Sequence, residues 1–296
     1  MSEEVVDIGV RFPAIHANVY HTESGTPYLI EPGVVLIAMP LVHLSGMQPF
    51  LDSFDTSLGF SDYLKDATPL DSATQLCKVA GQTCYMSFGP KHTTNADAKR
   101  YFDNMKSSGH GSVLEHANFS FLFYGISRSL THELVRHRAG FGFSQVSQRY
   151  VSGKVLRFVE RPEFVEDKDL HAAFVRNIDQ CAQEYDARAN TLLALQEDAE
   201  LLRGDTKTDR RKKVQQAARS CLPNETEAPI VVTANVRAWR HFIEMRASDH
   251  SDIEIRRLAG RVYVCLRSAC PTLFDDYEID RLNDTTWAVT NTWRKV

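Results

Sequence analysis

The sequence predicts an α+β chain in which amphipathic helices accompany short strands, and three observations carry that expectation. Ile126, Leu130 and Leu134 recur every four residues, the spacing of one helical face. Phe119, Phe121 and Phe123 alternate with their neighbours, which is the period of a strand with one buried side. Ile255, Leu258, Val262, Leu266 and Ala269 trace a second helical stripe, read as core.

The elements follow in order. Residues 1–32 carry Pro13, Pro27 and Pro32 with little periodicity and are read as an N-terminal extension of uncertain order, leaving the main domain to 33–296. Val34 to Met39 is short, apolar and preceded by Pro-Gly, so it reads as a buried strand that opens that domain. Leu76, Val79, Ala80 and Cys84 predict a helix over 72–87, closed by Gly89-Pro90, with Cys84 as core. Ser112 and Glu115 have capping-box spacing, just after the glycine-flanked His110.

The central stretch is Arg136 to Tyr150. A helix over 126–138 puts Glu133 and Arg136 on one face and Arg136, His137 and Arg138 in its last turn, where cations complement the dipole; Gly140 and Gly142 then stop it. Extended backbone beyond them places Gln145, Ser147 and Arg149 on one side and Val146, Gln148 and Tyr150 on the other. That first face offers an amide, a hydroxyl and a guanidinium, a set suited to a phosphate and a heterocycle edge.

Asp169 to Leu202 reads as one long helix, and Arg210-Arg211-Lys212-Lys213 as solvated helix surface. Arg219 precedes Cys221-Leu222-Pro223-Asn224, where proline ends a helix. In Asn235 to Arg246, Ala238, Phe242 and Met245 form a packed face while Arg237 and His241 share a polar one. Ser251 and Glu254 give a second capping-box candidate.

Composition narrows the function. A net charge of -4 over 296 residues argues against wholesale nucleic-acid binding and favours a small anionic ligand at a local basic site. The six cysteines show no CxxC pair, which fits reduced thiols in a cytoplasmic protein better than a zinc site or a disulfide framework. Neither an export signal nor a membrane segment is expected, since the run from Val34 to Val42 is too short to span a bilayer. His132 and His137 look like a zincin pair, but five residues turn them apart by about 140° on a helix, so no metal is expected.

Two distant segments thus combine arginines with a histidine and an amide. Paired carboxylates, a phosphate loop and a Ser-His-Asp set are all missing, and Gly140-Phe141-Gly142 lacks a dinucleotide fingerprint's third glycine. Such residues point to a planar anionic ligand, with the chemistry left to a bound cofactor. From residues alone, a non-catalytic nucleotide- or RNA-binding module and a metal-dependent hydrolase stay open as alternatives.

Arg136-His137-Arg138 followed by Ser144-Gln145-Val146-Ser147-Gln148-Arg149-Tyr150 resembles the signature of flavin-dependent thymidylate synthases. Gly109 to His116, Ile126 to Arg138, Arg219 with Leu222-Pro223-Asn224, and Asn235 to Arg246 match further blocks of that family in the same order. The likeness covers roughly Gly33 to the C-terminus. One departure is visible: eight residues, where the family has seven, separate Arg138 from Ser147, the extra one lying within 139–143.

The resemblance implies a central antiparallel sheet flanked by long helices, in a homotetramer with active sites at subunit interfaces. It implies FAD held by Ser112, Arg136, His137, Arg138, Gln145, Asn235, Arg237 and His241. It implies dUMP held by Glu133, Arg136, Gln145, Val146, Ser147, Gln148, Arg149, Arg219 and Arg246. Arg246 matches the arginine that activates the uracil, His110 a histidine near folate and flavin ring, and Lys212 a lysine near the nucleotide. The implied reaction is reductive methylation of dUMP to dTMP: methylenetetrahydrofolate gives the carbon, NADPH reduces FAD, and reduced flavin gives the hydride.

Overall fold

The computed structural model describes residues 12–204, 206–284 and 286–293, without the side chain of residue 197. Residues 1–11 of the expected extension lie outside the described residues. The chain begins with β1 (Ala14–Ile15), β2 (Val19–His21), β3 (Pro27–Leu29) and β4 (Gly33–Ala38). Three helices follow, α1 (Gln48–Asp52), α2 (Ser72–Cys84) and α3 (Ala98–Ser107). The middle of the chain holds β5 (Asn118–Tyr124), α4 (Arg128–Leu134), β6 (Phe141–Gln145) and β7 (Phe158–Val159). After them come α5 (Lys168–Ala194), α6 (Lys207–Ala218), β8 (Ile230–Asn235), α7 (Val236–Arg246), α8 (Ile253–Ala269) and α9 (Pro271–Phe274). The hairpin β9 (Tyr277–Arg281) and β10 (Trp287–Asn291) comes last.

The mixed fold and its antiparallel sheet are as expected. Five strands run in the order β1-β4-β5-β8-β6, and every neighbouring pair is antiparallel. Phe119, Phe121 and Phe123 point from β5 into a core shared with Trp239 and Phe242 of α7 and Ile255, Leu258, Val262 and Leu266 of α8, all fully buried. The indole of Trp239 meets Phe121 edge-on at 5.2 Å and Phe123 at 6.1 Å. Burying each such ring contributes about 1.5–3 kcal/mol, and each edge-on contact about 0.5–1.5 more. The sheet is therefore a rigid floor from which β5, β6 and β8 present their ends.

Several local expectations need correction. Residues 14–29, read as part of an extension, supply three strands: β1 pairs with β4, and β3 lies between β2 and β7. Tyr28 and Leu29 are buried there, so the ordered fold starts before Gly33. The strands were invisible because two or three residues are too few to show a period. Ile37, in the supposedly buried β4, is 47% exposed because this end of the strand leaves the core. The long helix stops at Ala194, and turns over 195–197 and 200–202 bring α6 back against α5.

Two side chains expected in the core are also exposed. Cys84, at the last residue of α2, is exposed and donates to the Ala80 carbonyl. Met245 is 52% exposed; the buried face of α7 is instead Val236, Ala238, Trp239, Arg240, Phe242 and Ile243. Arg240 can lie in that core because Asp276 receives its fork at 2.7 and 2.8 Å. Among the described residues, no helix is long and apolar enough to cross a membrane.

Candidate active site

The Arg136-His137-Arg138 triplet does not end a helix. Helix α4 closes at Leu134, and the triplet forms a tight turn in which the Arg136 and His137 amides donate to Glu133 and Leu134. Arg138 adopts φ +53° and Gly140 φ +76°, so the backbone reverses through the left-handed region twice. That reversal is what lets β6 come back to pair with β8. Glycine is required at 140, since an added Cβ would lie 2.9 Å from that of Ala238. Arg138 has no such freedom, and a non-glycine residue there carries about 1–2 kcal/mol of strain. Backbone strain held in place by sheet pairing is a pointer to a functional position.

The turn faces the end of α7. Arg246, in the last turn of that helix, donates from Nε to His137 Nε2 at 3.0 Å and from Nη1 to Glu133 Oε2 at 2.9 Å. Its Nη2 also reaches the Glu133 carbonyl at 3.5 Å. His137 is enclosed by Phe242 at 5.2 Å, Phe141 at 5.8 Å and His241 at 5.9 Å between ring centroids. Burial, then the Arg246 charge and His241, push its pKa down to about 4. The ring is thus neutral near pH 7, with its Nε2 lone pair accepting from Arg246. Arg136 and Arg138 are exposed, and neither guanidinium hydrogen-bonds to any described residue.

A second group forms where α7 begins. Asn235 caps the helix through Oδ1, which accepts from Ala238 at 2.9 Å, leaving its NH₂ to a further acceptor. Arg237 donates to Glu115 at 2.6 Å. The Ser112 and Glu115 capping box is therefore not made: residues 111–115 form a 3₁₀ turn without a side-chain cap, and Glu115 belongs to Arg237. A cavity of ≈ 410 Å³ opens here between Cys84, Tyr85, His110, Ser112 and Arg237. Its mixed polar and apolar lining and exposed Tyr85 suit a flat ligand with polar edges.

The third group departs most from expectation. Strand β6 ends at Gln145, opposite Ile230; the next residue on the partner side is Pro229, which has no N–H to continue the ladder. Val146 makes one last bond to the Pro229 carbonyl at 2.9 Å, and residues 147–150 then turn, with Tyr150 N donating to Ser147 O. Gln145, Ser147 and Arg149 therefore do not share a strand face. Within the turn, Arg149 Nε and Gln148 Nε2 are buried without a partner. Buried unsatisfied donors of this kind call for an acceptor. Lys212 comes to the same turn, its Nζ 5.0 Å from the Tyr150 ring, so that part of the basic run is not mere surface. Val146 and Gln148 also line a cavity of ≈ 400 Å³ with Leu222, Thr226 and Glu227.

Arg219, in the 3₁₀ turn after α6, stands beside a residue that sequence reasoning missed. Arg128 is the first residue of α4, and its amide donates to the Thr226 carbonyl, just beyond the Arg219 turn. Burial and then the Arg219 charge draw the Arg128 pKa down. Neither guanidinium meets a carboxylate among the described residues. A cation in a helix's first turn opposes the dipole, and that misplacement was the available signal. Two arginines coupled in this way without a carboxylate partner have the chemistry to receive an anion.

Within one chain, contacts therefore unite Glu133, His137, His241 and Arg246; His110, Ser112 and Arg237 around one cavity; and Ser147, Arg149, Tyr150 and Lys212, while the Asn235 amide lies beside Gly140 and Arg128 is coupled to Arg219. The partners of Arg246, Glu133 and His137, are not those of Arg149, which meets Ser147 and Tyr150. The second capping-box expectation also fails: Asp252 caps α8, while Glu254 accepts from the Ser127 amide and hydroxyl, both at 2.7 Å.

Comparison with known proteins finds relatives by sequence and a solved structure that shares the fold. Residues 64–272 match the family model described as thymidylate synthase complementing protein. A flavin-dependent thymidylate synthase of Mycolicibacterium gilvum is 44% identical over 225 residues, covering 76% of this chain and 88% of the relative. One from Mycobacterium tuberculosis is 45% identical over 230 residues, with 76% and 87% covered. Among solved structures, the UMP/dUMP methylase PolB from Streptomyces cacaoi, bound with 5-Br dUMP, shares the fold at a TM-score of 0.55 and 17% identity. That alignment covers 83% of this chain and 94% of PolB.

Proposed function

Because the chain belongs to the flavin-dependent thymidylate synthase family, we propose that it methylates dUMP reductively to dTMP with FAD as resident cofactor. The balanced reaction is dUMP, methylenetetrahydrofolate, NADPH and a proton giving dTMP, tetrahydrofolate and NADP⁺. In it the uracil C5–H is replaced by a methyl group whose carbon comes from the folate. The observation that carries this reading is the Arg246 fork held between Glu133 and a neutral His137, beside two unpaired arginines.

The donor set fits FAD. Arg136 and Arg138 are uncompensated cations suited to a pyrophosphate, while Ser112, Arg237, His241 and the Asn235 amide offer further polar contacts. His137 and Gln145 would complete that surface. When bound, FAD supplies a two-electron carrier between NADPH and the transferred carbon.

The chain's own residues bind and orient. Arg149, Arg219 and Arg128 would take the dUMP phosphate, with Ser147 and Gln148 beside it and Val146 against the sugar. Glu133 fixes the Arg246 fork, and Arg136 serves both ligands. Three of the five N–H groups of Arg246 go to Glu133 and His137, leaving two to face the uracil. A guanidinium keeps its proton, so Arg246 acts by stabilising negative charge on the ring, which makes C5 a better carbon nucleophile. His110, at the mouth of the ≈ 410 Å³ cavity, would position the folate.

Since contacts within one chain leave Arg149 and Arg246 in separate groups, we further propose that the site is completed between subunits of a cytoplasmic homotetramer. Purified protein tests the reading: it should be yellow, and NADPH oxidation should depend on dUMP and methylenetetrahydrofolate. A colourless protein that binds RNA with a steep salt dependence would overturn it.

A further inference from the structure

A cavity of ≈ 480 Å³ lies between α8 and the C-terminal hairpin, and no residue assigned above to FAD or dUMP lines it. Its wall on α8 carries Arg256, Arg257 and Arg261. Glu31 closes one side, and Trp287 of β10, 52% exposed, closes another. Glu31 and the hairpin fall outside the family match at 64–272, so this space forms where the shared core meets segments beyond it.

Two of the three arginines are neutralised. Arg261 donates to Glu31 and to the Pro32 carbonyl, and Arg256 donates to Asp284 at 2.5 Å. Arg257 is left over: it is half-buried, and among the described residues it hydrogen-bonds to no carboxylate. Desolvation draws its pKa down even against the pull of Asp284 and Glu163, so an anion there would relieve it. Gly260, mid-helix on the same wall, has nothing within 4 Å of an added Cβ. A helical glycine is destabilising relative to alanine and usually has a packing reason; here it keeps the cavity open.

We propose that this cavity is a second binding site, for a nucleoside phosphate whose base stacks on Trp287 and whose phosphate meets Arg257. The volume lies within the range of small-ligand pockets. The guanidinium supplies a fork for phosphate, and the indole a π-face that accepts any base. The site is separate from the dUMP assignment and does not rest on it.

Calorimetric titration of the FAD-loaded protein, saturated with dUMP, tests this with ATP, GTP, UTP and dTTP in turn, and with tripolyphosphate and thymidine alone. At least one nucleotide should bind once per chain and quench tryptophan fluorescence, with tripolyphosphate and thymidine at least tenfold weaker. Arg257→Ala and Gly260→Leu should each weaken nucleotide binding tenfold or more while dUMP affinity stays unchanged, which also shows that the variants fold. Absence of nucleotide binding, binding that survives both substitutions, or tripolyphosphate binding as well as the nucleotides would overturn the proposal. Failure of dUMP to bind the unaltered protein would instead count against the function proposed above.

Discussion

Arg246 and His137 form a matched pair, and their match sets a pH dependence. Protonating His137 would place a second cation 3.0 Å from the Arg246 Nε and remove the lone pair that accepts from it. The folded-state pKa is held at about 4 against an ordinary 6.5. Between those values the unfolded chain binds a proton that the folded chain refuses, so stability falls as pH drops from about 6.5 toward about 4. His137→Phe should flatten that part of the profile in urea unfolding at pH 7.5, 6 and 5; an unchanged slope would show that His137 titrates normally. At the phosphate end, Arg149→Ala and Arg128→Ala should each raise the dUMP Kd about tenfold or more, since a charged hydrogen bond is worth roughly 1.5–3 kcal/mol. Equal affinities would remove those residues from the site. Arg149 was legible in the sequence through its polar neighbours, whereas Arg128 passed without notice inside the expected helix over 126–138.

At the scale of elements, what was legible is what repeats. The Phe119, Phe121 and Phe123 alternation and the stripe from Ile255 to Leu266 became β5 and α8 because burial of one face enforces the period. Positions decided by tertiary partners were not legible. The spacing of Ser112 with Glu115, and of Ser251 with Glu254, fitted a local cap, yet both glutamates are claimed from a distance, by Arg237 and by Ser127. The start of α4 shows what such a claim is worth: Ser127 Oγ accepts from Leu130 N at 3.1 Å and donates to buried Glu254 at 2.7 Å. Ser127→Ala removes the cap and leaves that carboxylate short of a donor, a loss of about 2–3 kcal/mol. Thermal unfolding should register it as a fall in Tm of roughly 5 °C or more. A Tm within a degree of the parent would mean that the α4–α8 link carries no load. Since α4 positions Glu133, and α8 packs on α7 with Arg246, turnover should fall as well.

For the whole molecule, the family blocks carried the reading furthest, because they quote residues from four separate places that only the fold brings into groups. The N-terminal strands and the separation of the candidate residues into distinct contact groups escaped, the first for want of length and the second because spacing cannot report which side chains the fold brings into contact. If subunits complete the site, light scattering of the flavin-loaded protein should give four times the chain mass, and a monomer that still makes dTMP would refute the shared site.

The central claim is that the Arg246 fork supports charge on a uracil ring. Its most direct test is dTMP formation from dUMP, methylenetetrahydrofolate and NADPH by the unaltered protein and by Arg246→Ala, each with FAD bound. The account predicts dTMP from the first and a loss of about 10²–10³-fold or more in the second with the flavin spectrum retained. Equal rates of dTMP formation in the two proteins would contradict it.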